Sequence, residues 1–269
     1  MGTVELLTRE GEIEIVERIE EGIREVMGAI AHFPGTVDGI LSEYHRVTTE
    51  GGRLSDVLSG YIDPDDGSVP AEVEPVEPKV ESDATKDEKD EEEEEGDSEE
   101  EEEGDGGPDP EEALRRFTAV SEQLEKAKKA LKKHGRSSQQ AIDELQGLAE
   151  LFMPIKLVPK QFDVLVERVR GALERVRAQE RAIMQLCVRD ARMPRADFLR
   201  LFPGNEIELD WSAELANGKA KYAEAIGRLR DDIQRNQQKL IDLQKEVDLT
   251  ISEIKDINRR MSIGEAKAR

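Results

Sequence analysis

The side chains best suited to chemistry in this sequence are three histidines, His32, His45 and His134, and a single cysteine, Cys187. A structural or catalytic metal needs several such ligands at close spacing. None of these histidines has a second histidine, a cysteine or a carboxylate at ligand spacing that stands out from the background. Cys187 sits inside a helical pattern formed by Ile183, Met184, Leu186 and Cys187. That pattern reads as a small buried apolar group rather than a nucleophile. One cysteine forms no internal disulfide, which suits a reducing compartment and a cytoplasmic protein. The sequence contains no glycine-rich phosphate loop, no nucleophile elbow and no zinc-protease motif. Its carboxylates lie on solvated helix faces or in one acidic tract. Catalysis requires a convergent pocket of tuned groups, so the sequence reads as a binding protein, not an enzyme, with no cofactor, no metal and no small-molecule substrate.

Basic groups are the other candidates. Lys128, Lys129, Lys132, Lys133 and His134 cluster just before Gly135. The plain reading is a helix C-terminus whose cations complement the helix dipole. A patch for nucleic-acid phosphates is the alternative. Arg46 and Arg53 have the permanent charge and forked donors that suit phosphate. Each also has a carboxylate nearby in sequence, at Glu43, Glu50 or Asp56, and pairing there is an equally good reading.

The elements that position these groups are helical. Charged residues make up 38 % and aromatic residues 4 % of the chain, a balance that favours helices over strands. The spacing predicts a helix starting near the cap Thr8, with Val16, Ile19, Ile23, Val26, Met27 and Ile30 on one face. Phe33-Pro34-Gly35 ends it. Thr36 is placed as the cap of a second helix with Val37, Ile40, Leu41 and Tyr44 inward, ended by Gly51-Gly52. Leu54 to Leu58 reads as a short third helix. Asp109-Pro110-Glu111-Glu112 reads as an N-cap, a first-position proline and a capping-box glutamate. Leu114, Phe117, Leu124 and Leu131 follow on one face. Ser137 with Gln140 reads as the next capping box, followed by Ile142, Leu145, Leu148 and Phe152. Pro159 opens a long helix with Phe162, Leu165, Val166, Val169, Leu173, Val176, Ile183 and Leu186 inward.

Met193-Pro194 to Leu201 reads as a short helix, and Trp211 as packing between helices in a less regular segment. A long helix is expected from about Lys219, carrying Tyr222, Ile226, Leu229, Ile233, Leu240 and Leu243. Thr250 with Glu253 and Ser262 with Glu265 read as two further helix starts. The last of these has barely begun at Arg269, and so short a helix is unstable alone, so the natural sequence is expected to continue. The fold class expected is all-α, a multi-helix domain of long packed helices with a disordered acidic loop.

That loop carries nearly all the charge. Between Ile62 and Pro110 there are 24 acidic residues and 3 lysines, a net of −21 out of −23 for the chain. From Asp87 to Asp105, 15 of 19 positions are acidic and none is apolar. Such a segment has nothing to bury and is expected to stay disordered. The rest is close to neutral, so the global charge says little about partners. No apolar run reaches the length needed to cross a bilayer, and the N-terminus lacks the pattern of a signal peptide. No membrane role is expected.

Several stretches resemble the bacterial primary sigma factors of RNA polymerase. Met1 to Glu20 looks like their conserved region 1.2. Gly52-Arg-Leu-Ser-Asp-Val-Leu-Ser-Gly-Tyr-Ile-Asp-Pro64 follows as it does in that family. Leu157-Val-Pro-Lys-Gln-Phe-Asp163 and Arg175-Val-Arg-Ala-Gln-Glu-Arg181 look like the large non-conserved insertion of the proteobacterial type. Asp256 to Arg269 looks like the start of region 2.1. The resemblance implies a fourfold division: 1–63 region 1.2-like helices, 64–108 an acidic linker, 109–248 the helical insertion, and 249–269 the start of region 2.1. It implies core RNA polymerase and promoter DNA as partners, with Met1, Gly2 and Thr3 nearest the discriminator and Arg46 and Arg53 near phosphates upstream of the −10 element. Arg259 and Arg260 are expected to form salt bridges within the domain. The family's clamp-binding and −10-melting helices would lie beyond Arg269, so no promoter melting is expected of this chain alone. The competing reading is a helical interaction scaffold whose acidic arm recruits a basic partner.

Overall fold

The computed structural model describes residues 9–62 and 108–269. The acidic tract, the cap expected at Thr8 and the expected DNA-proximal residues Met1, Gly2 and Thr3 lie outside the described residues.

The described residues form an all-α fold with one contiguous core. The first helix, α1 (Arg9–Ala31), and the last, α10 (Ile251–Ala268), run antiparallel, with Gly22 beside Gly264 and Lys267 paired with Glu21 and Glu25. Val26, Met27 and Ile30 of α1 are buried in this seam, as their spacing predicts. Val16 and Ile13 are exposed instead, lying ahead of Glu21 and Gly22, where α1 meets the last turn of α10.

The link from α1 to α2 (Thr36–Glu50) differs from expectation. Thr36 is fully buried, and its hydroxyl donates to the carbonyls of Ile30 (2.8 Å) and Phe33 (2.7 Å). It therefore satisfies orphan acceptors at the end of α1 rather than donors at the start of α2. Gly35, at φ 78°, supplies the left-handed turn.

Leu54 to Leu58 is not a helix. A single 3-10 turn, Leu54–Asp56, leads into strand β1 (Leu58–Tyr61), which pairs antiparallel with β2 (Ile155–Leu157). Ile62 N–H donates to the Pro154 carbonyl, and Val158 N–H to that of Val57. This small sheet ties the end of the first segment to the connection just before Pro159, a pairing across nearly a hundred residues that local patterning does not reveal.

Helix α3 (Pro110–His134) and helix α4 (Gln139–Phe152) form a hairpin. Asp109 caps α3 through the Glu111 N–H, and Pro110 occupies the first turn. Glu112 does not complete a capping box; its carboxylate accepts from Arg115 (2.7 Å) and Arg116 (2.5 Å). The buried stripe is Ala113, Phe117, Val120, Leu124 and Ala127. Leu114 is 60 % exposed, because two small alanines let the helix approach its neighbours on the adjacent face. The cap of α4 is Ser138, one residue later than predicted. Its hydroxyl accepts from Ala141 N–H and donates to the Gly135 carbonyl. Ile142 is consequently half-exposed while Ala141, Leu145, Leu148 and Phe152 are buried.

Helix α5 (Pro159–Met184) is the central strut, with Leu165, Val166, Val169, Leu173, Val176 and Ile183 buried, and it packs against α10 and the helix over Arg230–Val247. Phe162 and Leu186, expected inward, are partly buried. The helix widens into a π-turn, Gln185–Asp190, that places Cys187 in the core. Then α6 (Arg195–Leu201) and α7 (Trp211–Ala216) pack Phe198, Phe202 and Trp211 edge to face and in stacks. Trp211 Nε1 donates to the Leu201 carbonyl.

The single helix expected from Lys219 is two: α8 (Ala223–Arg228) and α9 (Arg230–Val247), broken at Leu229. The Leu229 N–H is shared between the Ala225 and Ile226 carbonyls, a tightened turn that offsets the two axes. Buried Gln237 of α9 donates to the carbonyls of Asn205 and Glu208, pinning the loop before α7. The Thr250–Glu253 capping box opens α10 as predicted. Ser262 starts no new helix: α10 runs through it without interruption.

Candidate partner and DNA interface

Arg46 and Arg53, the described residues expected near DNA, stand at the same end of the fold. Arg46 lies on the last turns of α2, and Arg53 follows the Gly51-Gly52 break in extended backbone, φ −93° and ψ 136°. Tyr44 stacks on Phe117, ring centroids 4.1 Å apart and nearly parallel, which seats this half of α2 over the first turns of α3. Arg116 lies over the Tyr61 ring at 4.3 Å. This cation–π contact joins β1 to α3. The result is a platform of helix ends and one strand carrying exposed arginines.

Arg46 is held by Glu43 at 2.8 Å and approached by Glu50 at 3.6 Å. The hydrogen bond that Arg46 donates to Glu43 raises its pKa further, so its charge is permanent. The structure thus supplies the local pairing that the sequence left open for Arg46. Arg53 is exposed and makes no ion pair among the described residues. Glu112, whose carboxyl falls to about 2 under the hydrogen bonds from Arg115 and Arg116, stays ionised at any physiological pH. Burial pushes the Tyr61 phenol up, keeping it neutral.

The lysine cluster sits elsewhere. Lys132, Lys133 and His134 occupy the last turn of α3, whose terminal carbonyls face Gly135; the Gly135 N–H donates to the Leu131 carbonyl at 3.0 Å. Lys128 reaches Asp38 of α2 at 2.6 Å, which raises its pKa. At least one of these lysines therefore braces α2 against α3 rather than facing a partner. Antiparallel α2 and α3 put this cluster at the opposite end from Arg46 and Arg53.

Of the pair expected to salt-bridge in α10, Arg259 does, to Asp256 at 2.6 Å. Arg260 forms no ion pair among the described residues. Sequence reading missed the links between remote elements. Arg175 makes a two-pronged bond to Glu246 (2.7 and 2.5 Å), and Arg170 contacts both oxygens of Glu265 at 2.7 Å. Arg136 joins the His32 carbonyl (2.5 Å) to Glu253 (2.9 Å). No local pattern signals partners 71 to 117 positions apart.

Among the described residues no three His, Cys, Asp or Glu side chains are grouped to hold a metal ion. Cys187 is buried, and burial alone pushes its thiol up to about 12, so it is protonated. Among the described residues no helix is long and apolar enough to cross a membrane.

Comparison with known proteins agrees with this architecture. Residues 33–244 match the family model described as the sigma-70 non-essential region. An RNA polymerase sigma factor RpoD from Neisseria gonorrhoeae is 30 % identical over 268 residues, covering 97 % of this chain. The chain spans 41 % of the length of that curated relative. With most of its length matched by the family model, including everything from α2 into α9, the chain belongs to the sigma-70 family, in its non-essential region.

Proposed function

We propose that this chain is the part of a primary sigma factor that runs from region 1.2 through the insertion to the start of region 2.1. In that reading it serves transcription initiation in the cytoplasm as a non-catalytic component, bound to core RNA polymerase and directed at promoter DNA. The observation that carries the proposal is the similarity to a sigma factor along 97 % of the chain, insertion included. Within it, Met1, Gly2 and Thr3 approach the discriminator strand, and Arg46 and Arg53 face phosphates upstream of the −10 element. Two features support the arginine assignment. Arg53 is exposed and unpaired among the described residues. Arg46 is engaged only by exposed carboxylates, and such pairs are worth so little that a phosphate displaces them readily. The fourfold division into 1–63, 64–108, 109–248 and 249–269 belongs to the same proposal.

The test is co-elution with core RNA polymerase on a sizing column, for this chain beside a version extended past Arg269 with the relative's following segment. Binding by the extended version alone supports the sigma role and assigns the affinity to the added helices. Binding by both assigns a polymerase contact to this chain. Binding by neither overturns the proposal. For the DNA contact, Arg53→Glu in the extended version should weaken promoter binding and flatten its salt dependence by about one phosphate contact; an unchanged salt slope removes Arg53 from the interface.

A further inference from the structure

Between the end of α1, the start of α4 and the outer face of α10 lies a cavity of about 330 Å³. Its lining combines the polar His32, Arg136 and Arg260 with the apolar Ile142, Leu145 and Ile257. Three facts set its chemistry. First, the nearby carboxylates are already engaged. Glu253 accepts from Arg136 and closes the Thr250 capping box, Asp256 accepts from Arg259, and Glu25 on the far side of Arg260 accepts from Lys267. Second, Arg260, only partly exposed, makes no ion pair among the described residues, although Asp256 and Glu253 line the same cavity, so its guanidinium can still take a contact anion. Third, half of the apolar surface of Ile142 is left exposed at the same opening.

We propose that this cavity is a binding site for a small amphipathic anion, an alkyl or aryl group bearing a phosphate or carboxylate head. The head group accepts from Arg260 and, when the ring is protonated, from Nε2 of His32, and the apolar body lies on Ile142, Leu145 and Ile257. Geometry fixes the histidine's part. Its Nδ1 bonds the Gly28 carbonyl at 2.8 Å, so that nitrogen is the donor and Nε2 is the atom free to meet a ligand. Arg136 contributes field more than hydrogen bonds, because two of its nitrogens are spent on His32 and Glu253. The volume is at the small end of the range for ligand sites, which suits a ring of one or two substituents rather than a nucleotide.

Arg136 and Arg260 are balanced in number by Glu253 and Asp256 in the lining, but the two arginines act on His32 more strongly than Asp256 does. Burial lowers the His32 pKa most; the Gly28 hydrogen bond raises it; Arg260 and Arg136 lower it further; Asp256 raises it. Glu253 and Ser252 complete the polar groups facing the cavity. An anion seated beside Arg260 cancels part of that field and favours the imidazolium. His32 must therefore titrate at higher pH in the bound state, and by linkage the anion binds more tightly as pH falls through the His32 range.

The experiment is an NMR titration of this chain with phenyl phosphate, following the His32 ring signals, with inorganic phosphate and benzyl alcohol as comparisons. The expected result is saturable movement with phenyl phosphate, a raised His32 pKa in the complex, and weaker binding of both comparison molecules. Arg260→Gln should weaken phenyl phosphate about ten- to hundredfold, the loss of a charged hydrogen bond. Ile142→Glu, at an exposed position that leaves the fold intact, should abolish binding by setting a carboxylate at the rim. Linear, unsaturated shifts overturn the site. Undiminished binding by both variants overturns it too. Inorganic phosphate binding as tightly as phenyl phosphate overturns the apolar half of the assignment.

Discussion

Adding one methyl group at Gly264 tests whether α1 and α10 are held as close as the structure shows. A Cβ at that position would sit 2.8 Å from the Gly22 carbonyl oxygen and 2.9 Å from the Val26 nitrogen, both backbone atoms on α1. Neither yields as a side chain would. Restoring ordinary contact distances requires the two backbones to part by about 0.5 Å, which forfeits on the order of a quarter to a half of the dispersion well along the seam. Overpacking of this kind costs about 1–3 kcal/mol. The substitution also brings a gain of about 1 kcal/mol, because alanine is the better helix former. Gly171, inside α5, isolates that gain: a Cβ there meets nothing within 4 Å. Gly171→Ala should therefore raise stability by up to about 1 kcal/mol. Gly264→Ala should fall about 1–3 kcal/mol below Gly171→Ala. At about 2–4 °C per kcal/mol for a chain of this size, thermal unfolding by circular dichroism separates them easily. If Gly264→Ala is as stable as Gly171→Ala, the close helix contact is not there.

Other expectations follow from the same core. Leu173→Ala should cost about 2–5 kcal/mol in urea unfolding, whereas Pro159→Ala, at a first helical turn where the missing N–H bonds nothing, should change it little. The Cys187 thiol, pushed up to about 12 and buried, should resist a disulfide reagent at pH 8 until denaturant is added; rapid labelling of the native chain would contradict its burial. Glu112, ordinarily near 4.5 and here about 2, is stabilised as the anion, so its contribution is complete above pH 4.5 and disappears as pH falls from 4.5 towards 2. Carboxyl NMR should show this titration shift, and Arg116→Gln should move it back towards 4.5.

Local sequence carried most of the helices and three of their starts. Asp109-Pro110, Pro159 and the Thr250–Glu253 box all act within three or four residues, where a side chain and its backbone partner are adjacent whatever the rest of the chain does. The same locality explains the near misses. Ser137 and Ser138 are chemically equal candidates, and only the turn at Gly135 decides which one faces the amides of α4. Thr36 has the chemistry of an N-cap, but burial under α1 turns its hydroxyl towards the Ile30 and Phe33 carbonyls. Leu114 is more apolar than Ala113, yet close packing takes the alanine.

The composition and periodicity of the sequence determined that the chain is helical, where its charge is concentrated and which faces carry most of the core side chains, while the family resemblance came from whole stretches such as Leu157 to Asp163. Those properties depend on spacings within a turn or two. Only the tertiary structure decided the β1–β2 pairing, the Gly22–Gly264 approach, the ion pairs of Arg136, Arg170 and Arg175, and the gathering of His32, Arg136 and Arg260 around one cavity. Each of these joins residues far apart in the chain, and their meeting is set by how whole helices cross, a sum over the core that no local stretch encodes.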